Sequence, residues 1–422
     1  MRFLHLADLH LDTSFAGRGP AVAARLRRAL RDTLARAIDV SLELQLDAVL
    51  VAGDLFDGPL LTFDTERFLA TQIERLQTAG IPFLYATGNH DPANTLPVSS
   101  WPTNAVVFSS PQPQTVCLRD RSGETIATVT GAGHDSERVA ANLAREFPAW
   151  EPSSCPRIAL LHALVDGARA GESHDRFAPC GRTDLRAKGY DYWALGHVHE
   201  RQIACEDPLA VYPGNPQGRS PRESGARGAY VVSLRAGETP QISFVALAAV
   251  RWETVSIDGL EATREFSDLL TTLRSTVAEA LRHRSDPDPR DAISLRVALV
   301  GGCPLFRELR SPENLRFLCE ELRRSLRDDG PELTGVVEFV DVELDARVNR
   351  PVDVNRLRER NDVLGEALRL VEALRSGATA LPNIEAEELA GATEGASSAD
   401  YIRSLLTDAD PFLAERLLLV EP

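Results

Sequence analysis

Asp47-Ala48-Val49-Leu50-Val51-Ala52-Gly53-Asp54 is a run of small and branched apolar residues that stops at a glycine and a carboxylate. A short run that is apolar on both faces reads as a strand buried from both sides, the habit of parallel sheets. Upstream, Phe3 to Asp8 reads the same way and ends in Asp8-Leu9-His10. Between the two lies Pro20 to about Gln45, where Leu26, Leu30, Leu34, Ile38 and Leu42 recur every four residues. That period draws one apolar stripe along a helix. Downstream, a helix over about Asp64–Ala79 leads through Gly80 to a strand over Ile81–Thr87 and then to Gly88-Asn89-His90-Asp91. Strand, helix, strand, helix, strand predicts an α/β layer fold whose site lies at the carboxyl ends of its strands.

Two further strand-like runs end in ligand-type side chains. Arg157–Leu161 is followed by His162, and Tyr190–Leu195 by Gly196-His197-Val198-His199. Asp8, His10, Asp54, Asn89, His162, His197 and His199 are all types that bind divalent metals through oxygen or imidazole nitrogen. Asp8 and His10 share parity, as do His197 and His199, so an extended backbone would point each pair to one side. His5, His134, His174 and His283 read as structural histidines, and Asp57 as a helix-entry or loop carboxylate.

The 422 residues exceed one ordinary core, so two or three domains are expected. Hydrophobic residues at 43% and charged residues at 26% describe a folded globular chain. No apolar run is long enough for a membrane helix and the amino terminus enters strand-like sequence directly, so a soluble, cytoplasmic protein is expected. Six scattered cysteines without a C-x-x-C pair suggest reduced thiols. The net charge of −16 excludes a uniformly basic nucleic-acid binder but not a local basic face. Residues 301–422 carry 25 acids against 15 arginines and so hold most of that charge.

Runs at Val106–Phe108, Thr115–Leu118 and Thr125–Gly131 suggest a second, antiparallel set of strands, which Gly228–Leu234 and Gln241–Ala246 would close. The domain boundaries expected are 1–257, a small α/β module over 258–350 and a mainly helical 351–422, with a loop or linker around Glu385–Ala399.

In order, the motifs D-x-H, G-D, G-N-H-D, H and G-H-x-H resemble those of the calcineurin-like metallophosphoesterase superfamily, over roughly residues 1–250. The opening Phe3-Leu4-His5-Leu6-Ala7-Asp8-Leu9-His10-Leu11-Asp12 and Tyr212-Pro213-Gly214-Asn215-Pro216-Gln217-Gly218-Arg219, with Glu223, Gly225 and Gly228 after it, look like DNA-repair exonucleases of the SbcD type, nearest the bacterial YhaO-like branch. The resemblance implies a four-layer α/β/β/α phosphoesterase domain, a small α/β capping domain that contacts DNA, and a helical tail docking on an SMC-like ATPase. It also implies a homodimer.

For the site, the resemblance implies two divalent ions, expected to be Mn²⁺. Asp8, His10 and His199 would hold one, Asn89, His162 and His197 the other, and Asp54 would bridge. Two ions sharing a hydroxide suit in-line attack on a phosphodiester. His90 would be the proton donor or transition-state stabiliser, with Asp91 orienting it through a hydrogen bond. Some nucleases of the group carry histidine where this chain has Asp57, and SbcD-type members carry aspartate. Arg18, Arg219, Arg222 and Arg227 fall in loops near predicted strand ends and are candidate phosphate contacts. The expected function is a metal-dependent DNA exonuclease, possibly an endonuclease. The alternatives are hydrolysis of a small phosphoester and a structural subunit regulating an ATPase.

Overall fold

The computed structural model describes residues 1–96, 101–120, 122–149, 155–169, 177–284, 292–329, 334–379, 402, 406 and 409–418. His174 and the expected linker around 385–399 lie outside the described residues. The chain divides into two compact units, the first made of residues 1–253, 284–295 and 335–341, the second of 254–283, 296–334 and 342–422.

The first unit is built on two six-stranded sheets. In the first sheet, β1 (Arg2–Leu6), β2 (Ala48–Ala52), β3 (Phe83–Ala86) and β4 (Ala105–Phe108) lie side by side and parallel. In the second, β5 (Gln114–Arg119) pairs antiparallel with β6 (Thr125–Ala132), and β6, β7 (Arg157–His162), β8 (Tyr192–Gly196) and β10 (Leu209–Tyr212) run parallel. The strand β9 (Gln202–Glu206) closes its far edge.

Alternation along each strand explains the layering. Phe3, Ala48, Leu50, Ala52, Leu84 and Ala86 face the second sheet, where Val129, Ile158, Leu160, Tyr192 and Ala194 meet them. The intervening residues Leu4, Leu6, Val49, Val51 and Phe83 pack instead on α1 (Pro20–Glu43) and α2 (Phe63–Ala79). The stripe Leu26, Leu30, Leu34 and Ile38 is the buried face of α1, as its spacing requires. On the other side of the second sheet, Ala159, Leu161, Trp193 and Leu195 pack on Leu143, Phe147 and Leu185, the last from α3 (Arg182–Arg186). Both faces of the central strands of each sheet are therefore covered.

Three sequence expectations are corrected. The strands β11 (Gly228–Ser233) and β12 (Gln241–Ala246) do not close the second sheet; β11 pairs antiparallel with β1, from Arg2↔Ser233 to His5↔Tyr230, and so extends the first. The run at Val106–Phe108 likewise joins the first sheet, as β4 beside β3. The second sheet is mixed rather than antiparallel, because β6, β7 and β8 are parallel. Strand pairing depends on which exposed edge a segment reaches after its loop, and local pattern does not carry that information.

Within the second unit, α4 (Phe266–Arg282) packs on α5 (Pro312–Asp328). A third sheet, of three strands, runs in the order β13 (Arg251–Ile257), β14 (Ala292–Gly302), β15 (Glu338–Asn349), and residues 251–253, 292–295 and 338–341 of it belong to the first unit. The helix α6 (Val354–Arg358) packs on α7 (Val363–Ser376), which also meets α8 (Ala409–Leu418). Arg358 and Arg375 both pair with Glu372 and Asp410. Among the described residues, no helix is long and apolar enough to cross a membrane.

Candidate metal centre

The carboxyl ends of β1, β2 and β3 in one sheet and of β7 and β8 in the other open at the same place. The loops after β1 and β2 run on side by side: Asp8 N donates to Gly53 O at 3.1 Å and His10 N to Asp54 O at 2.9 Å. They are not extended, however. Asp8, His10 and Asp54 have φ of 54°, 48° and 50°, and His197 has 107°, a region that side-chain-bearing residues rarely occupy. The parity argument for Asp8 with His10 and for His197 with His199 therefore does not describe how these side chains converge. Left-handed turns past the strand ends aim them, each costing about 1–3 kcal/mol that the packed sheets must hold in place.

Close approach explains the glycines of the motifs. A Cβ on Gly53 would sit 2.1 Å from His162 Nδ1, and one on Gly88 would sit 2.2 Å from Asp54 Oδ1. Glycine lets the loop of one strand lie against the ligand presented by the next.

The donor atoms gather in overlapping groups: Asp8, His10 and His199; Asp8, Asp54 and His162; and His10, Asp57 and His90. His10 Nε2 and His199 Nε2 face each other at 3.2 Å. One oxygen, Asp54 Oδ2, lies 3.7 Å from His10 Nε2 and 3.4 Å from His162 Nε2, between two of the groups. Asn89 Oδ1 is 3.0 Å from His162 Nε2, and the His197 ring centroid lies 5.3 Å from that of His162.

Backbone groups and His134 hold these side chains in place. His197 N donates to Asp8 Oδ1 at 3.1 Å, and His90 N to Asp54 Oδ1 at 2.9 Å. His162 Nδ1 donates to the Ala52 carbonyl at 2.8 Å, and His134 Nε2 to the His162 carbonyl at 2.8 Å.

Charge and burial fit a cation. Asp8 and Asp54 are buried, and among the described residues neither is paired with a lysine or arginine. Burying an anion without a partner is costly. For Asp8 burial raises the pKa. Burial also depresses His10 to about 3, helped by the Arg219 charge. At His162 burial opposes the charged form, but the bonded Asp54 carboxylate, with Asp8, carries the pKa up to about 9. Buried carboxylates facing imidazole nitrogens at these separations suit one or two hard or borderline divalent ions.

Three residues have partners that the sequence did not assign. Asp57 accepts from His10 Nδ1 at 3.1 Å, His90 Nδ1 at 3.2 Å and Arg219 at 3.1 Å. Burial opposes its charge, yet the hydrogen bonds from His10 and His90 hold its carboxyl far below the usual range. Asp57 is a loop carboxylate, as the sequence suggests, and its loop turns it onto the site. Glu223 accepts from His199 Nδ1 at 2.7 Å. His134 is structural, as the sequence suggests, but its partner is the backbone of His162. The sequence marks Glu223 and Asp57 by resemblance but does not say what they touch, and the partner of each of the three is identified only by the folded chain.

Two expectations are corrected. Asp91 does not orient His90: its carboxylate accepts from Gly88 N at 2.7 Å and Phe56 N at 3.0 Å, pinning the two ligand loops together. Burial, with the Asp54 charge, pushes its pKa up to about 6. Asp57 takes the place at His90 that Asp91 was expected to fill. Arg18 does not line the site; it pairs with Asp341 at 2.8 Å and lies 5.1 Å over the Trp252 ring. Its reach is used by packing.

His90, with 43% of its side chain exposed, stands at the mouth of a cleft of about 1370 Å³. The wall includes Arg138, Arg169, Arg219, Arg222 and Arg227. Nothing in the local sequence marks Arg138 or Arg169 for this place. Arg169 pairs with Glu200, and Arg227 donates to Asn215 and to the His199 carbonyl.

Comparison with known proteins agrees with this geometry. Residues 1–201 match the calcineurin-like phosphoesterase family. The uncharacterized metallophosphoesterase YhaO of Bacillus subtilis is 32% identical over 311 residues, 72% of each chain. The DNA double-strand break repair protein Mre11 of Aeropyrum pernix is 25% identical over 68% of this chain and 70% of its own. One component of the nuclease SbcCD of Rhodobacter capsulatus is 25% identical over 57% of this chain and 68% of its own. On the YhaO identity and coverage, and on the motifs that supply the buried cluster, the chain belongs to the calcineurin-like metallophosphoesterases.

Proposed function

We propose that this phosphoesterase is a Mn²⁺-dependent DNA phosphodiesterase, an exonuclease of DNA repair working beside an SMC-like ATPase. The observation that carries the reading is the cleft, where the buried carboxylate and imidazole cluster opens between arginine-bearing walls. Among the described residues, Arg138 and Arg222 on that wall form no ion pair and remain for phosphates. The names of the relatives, a break-repair protein and a nuclease component, support the substrate class and a partner.

Asp8, His10 and His199 would hold one divalent ion, Asn89, His162 and His197 the other, and Asp54 would bridge. Such a pair, when bound, supplies Lewis acidity that activates water and offsets phosphate charge. The chain's own residues do the rest. Asp57 fixes the His90 ring through Nδ1, which leaves Nε2 for the cleft, where it delivers a proton to the departing oxygen. Arg138 and Arg222 hold the flanking phosphates and orient the strand.

The test is incubation of the purified full chain with Mn²⁺ and DNA of defined ends, beside a small phosphodiester. Mn²⁺-dependent shortening of DNA from its ends is expected. Hydrolysis of the small diester with no DNA cleavage would overturn the DNA reading and leave a small-phosphoester hydrolase.

A further inference from the structure

Beside the cleft, one arginine is prepared differently from those on its wall. Arg201 follows Glu200 of the wall and stands just before β9. Its guanidinium carbon lies 3.7 Å from the centre of the Phe244 ring. Phe244 in turn stands edge-on to Tyr230, its register partner across β11 and β12, with ring centres 6.1 Å apart. Arg201 is exposed, and among the described residues its guanidinium makes no ion pair or hydrogen bond. A guanidinium seated on a ring gives up one face and keeps its N–H donors, which lie in its own plane, for another partner.

The backbone that carries Arg201 is fixed from both sides. The turn at Gly214, with φ of 74°, packs so close that a Cβ there would sit 2.6 Å from His199 O and 3.0 Å from Arg201 N. Next along the chain, the Gln202 side chain accepts from Arg169 N at 2.9 Å and donates to Arg169 O at 3.0 Å. The neighbouring acid is already taken, since Glu200 pairs with Arg169 at 3.2 Å. Arg201 is near enough to Arg227 on the wall for their charges to repel: burial lowers the Arg227 pKa, Glu223 and Glu200 oppose that, and Arg201 adds to it. The positive charge of the cleft therefore continues past its rim.

We propose that Arg201, seated on Phe244, grips a phosphate of the DNA strand where the strand leaves the cleft, with Phe244 as its positioning residue. The inference rests on the DNA reading of the site. Planar N–H donors match phosphate oxygens, and a long side chain already held on a ring loses less freedom on binding than one that samples many rotamers. A small phosphoester that fills only the cleft does not reach this residue. Arg201 is thus a feature that tells a strand from a small molecule.

The test is binding of single-stranded DNA with cleavage-resistant phosphorothioate links to the Mn²⁺-loaded full chain, using one oligonucleotide of about 4 nucleotides and one of about 16. Arg201→Ala should weaken the longer strand roughly 10-fold and lower its salt slope by about 0.7, while the shorter one binds unchanged. Arg201→Lys keeps the charge and loses the planar fork; it should weaken the longer strand and keep the slope, which covers the case in which alanine disturbs the fold. Phe244→Leu should cost part of the Arg201 factor on the longer strand and nothing more once Arg201 is alanine. Wild-type affinity of Arg201→Ala for the longer strand, or an equal loss on both lengths, overturns the proposal, and a further loss from Phe244→Leu in the Arg201→Ala background overturns the positioning role. A wild-type chain that binds neither strand instead overturns the DNA reading on which the inference rests.

Discussion

Replacing His90 by glutamine separates proton delivery from metal holding. The His90 side chain meets the cluster through Asp57 and His10: its Nδ1 bonds Asp57 at 3.2 Å and its ring stands edge-on to His10 at 4.7 Å, while its backbone N–H, which glutamine keeps, donates to Asp54. Asp57 keeps His10 and Arg219 as partners in the variant, so the ligand loops stay tied. The lost pair is half exposed, worth up to about 1 kcal/mol of stability. The catalytic loss should be larger. A positioned general acid contributes about 10²–10⁴-fold, or about 3–5 kcal/mol of barrier, and it does so only where the leaving oxygen needs a proton. The assay is turnover at saturating Mn²⁺ on DNA and, in parallel, on a nitrophenyl phosphodiester whose leaving group departs as a stable anion. His90→Gln should lose roughly the full factor on DNA and little on the nitrophenyl ester, with KM nearly unchanged. An equal loss on both substrates would refute proton delivery, and no loss on either would remove His90 from the chemistry.

Other outcomes follow from the same geometry. Chelation should lower the melting temperature and Mn²⁺ restore it, since a ligand at 100 times its Kd adds about 2.7 kcal/mol to the folded state; an unchanged transition would contradict a metal centre that binds only the folded chain. Leu50→Ala, at a fully buried position between the sheets, should cost about 2–5 kcal/mol in urea unfolding, and a cost under about 1 would show that the layers collapse onto the cavity. Arg222→Ala should weaken DNA binding and reduce its salt slope by about 1. Arg18→Ala, whose guanidinium is taken by Asp341 and Trp252, should leave that slope alone and cost about 1 kcal/mol of stability; the reverse pattern would restore Arg18 as a phosphate contact. Burial, with the Asp184 and Asp166 charges, pushes Cys180 up to about 12, so it should resist a thiol reagent at pH 8 until the chain unfolds while exposed Cys117 reacts; rapid labelling of Cys180 would mean that its region opens readily.

By itself, the sequence determined the strands and helices of the first unit and the chemistry at their ends. The four-residue recurrence in α1 and the doubly apolar run of β2 are local consequences of which faces must be buried, so they show in one dimension. The side chains brought together at the cluster were legible because each follows a strand, and parallel strands deliver their ends to one place. Tertiary structure decided the rest. Which sheet β4, β11 and β12 join depends on edges that exist only after the first strands have paired. Asp8, His10, Asp54 and His197 are aimed by left-handed backbone rather than strand parity, and Gly53 and Gly88 let the neighbouring loops approach closely. Asp57 and Glu223 lie far in sequence from most of what they touch, and a hydrogen bond at about 3 Å leaves no periodicity behind. Asp91, next to His90 in sequence, was turned the other way by the need of Gly88 N and Phe56 N for an acceptor in the interior, where an unpaired backbone amide is expensive.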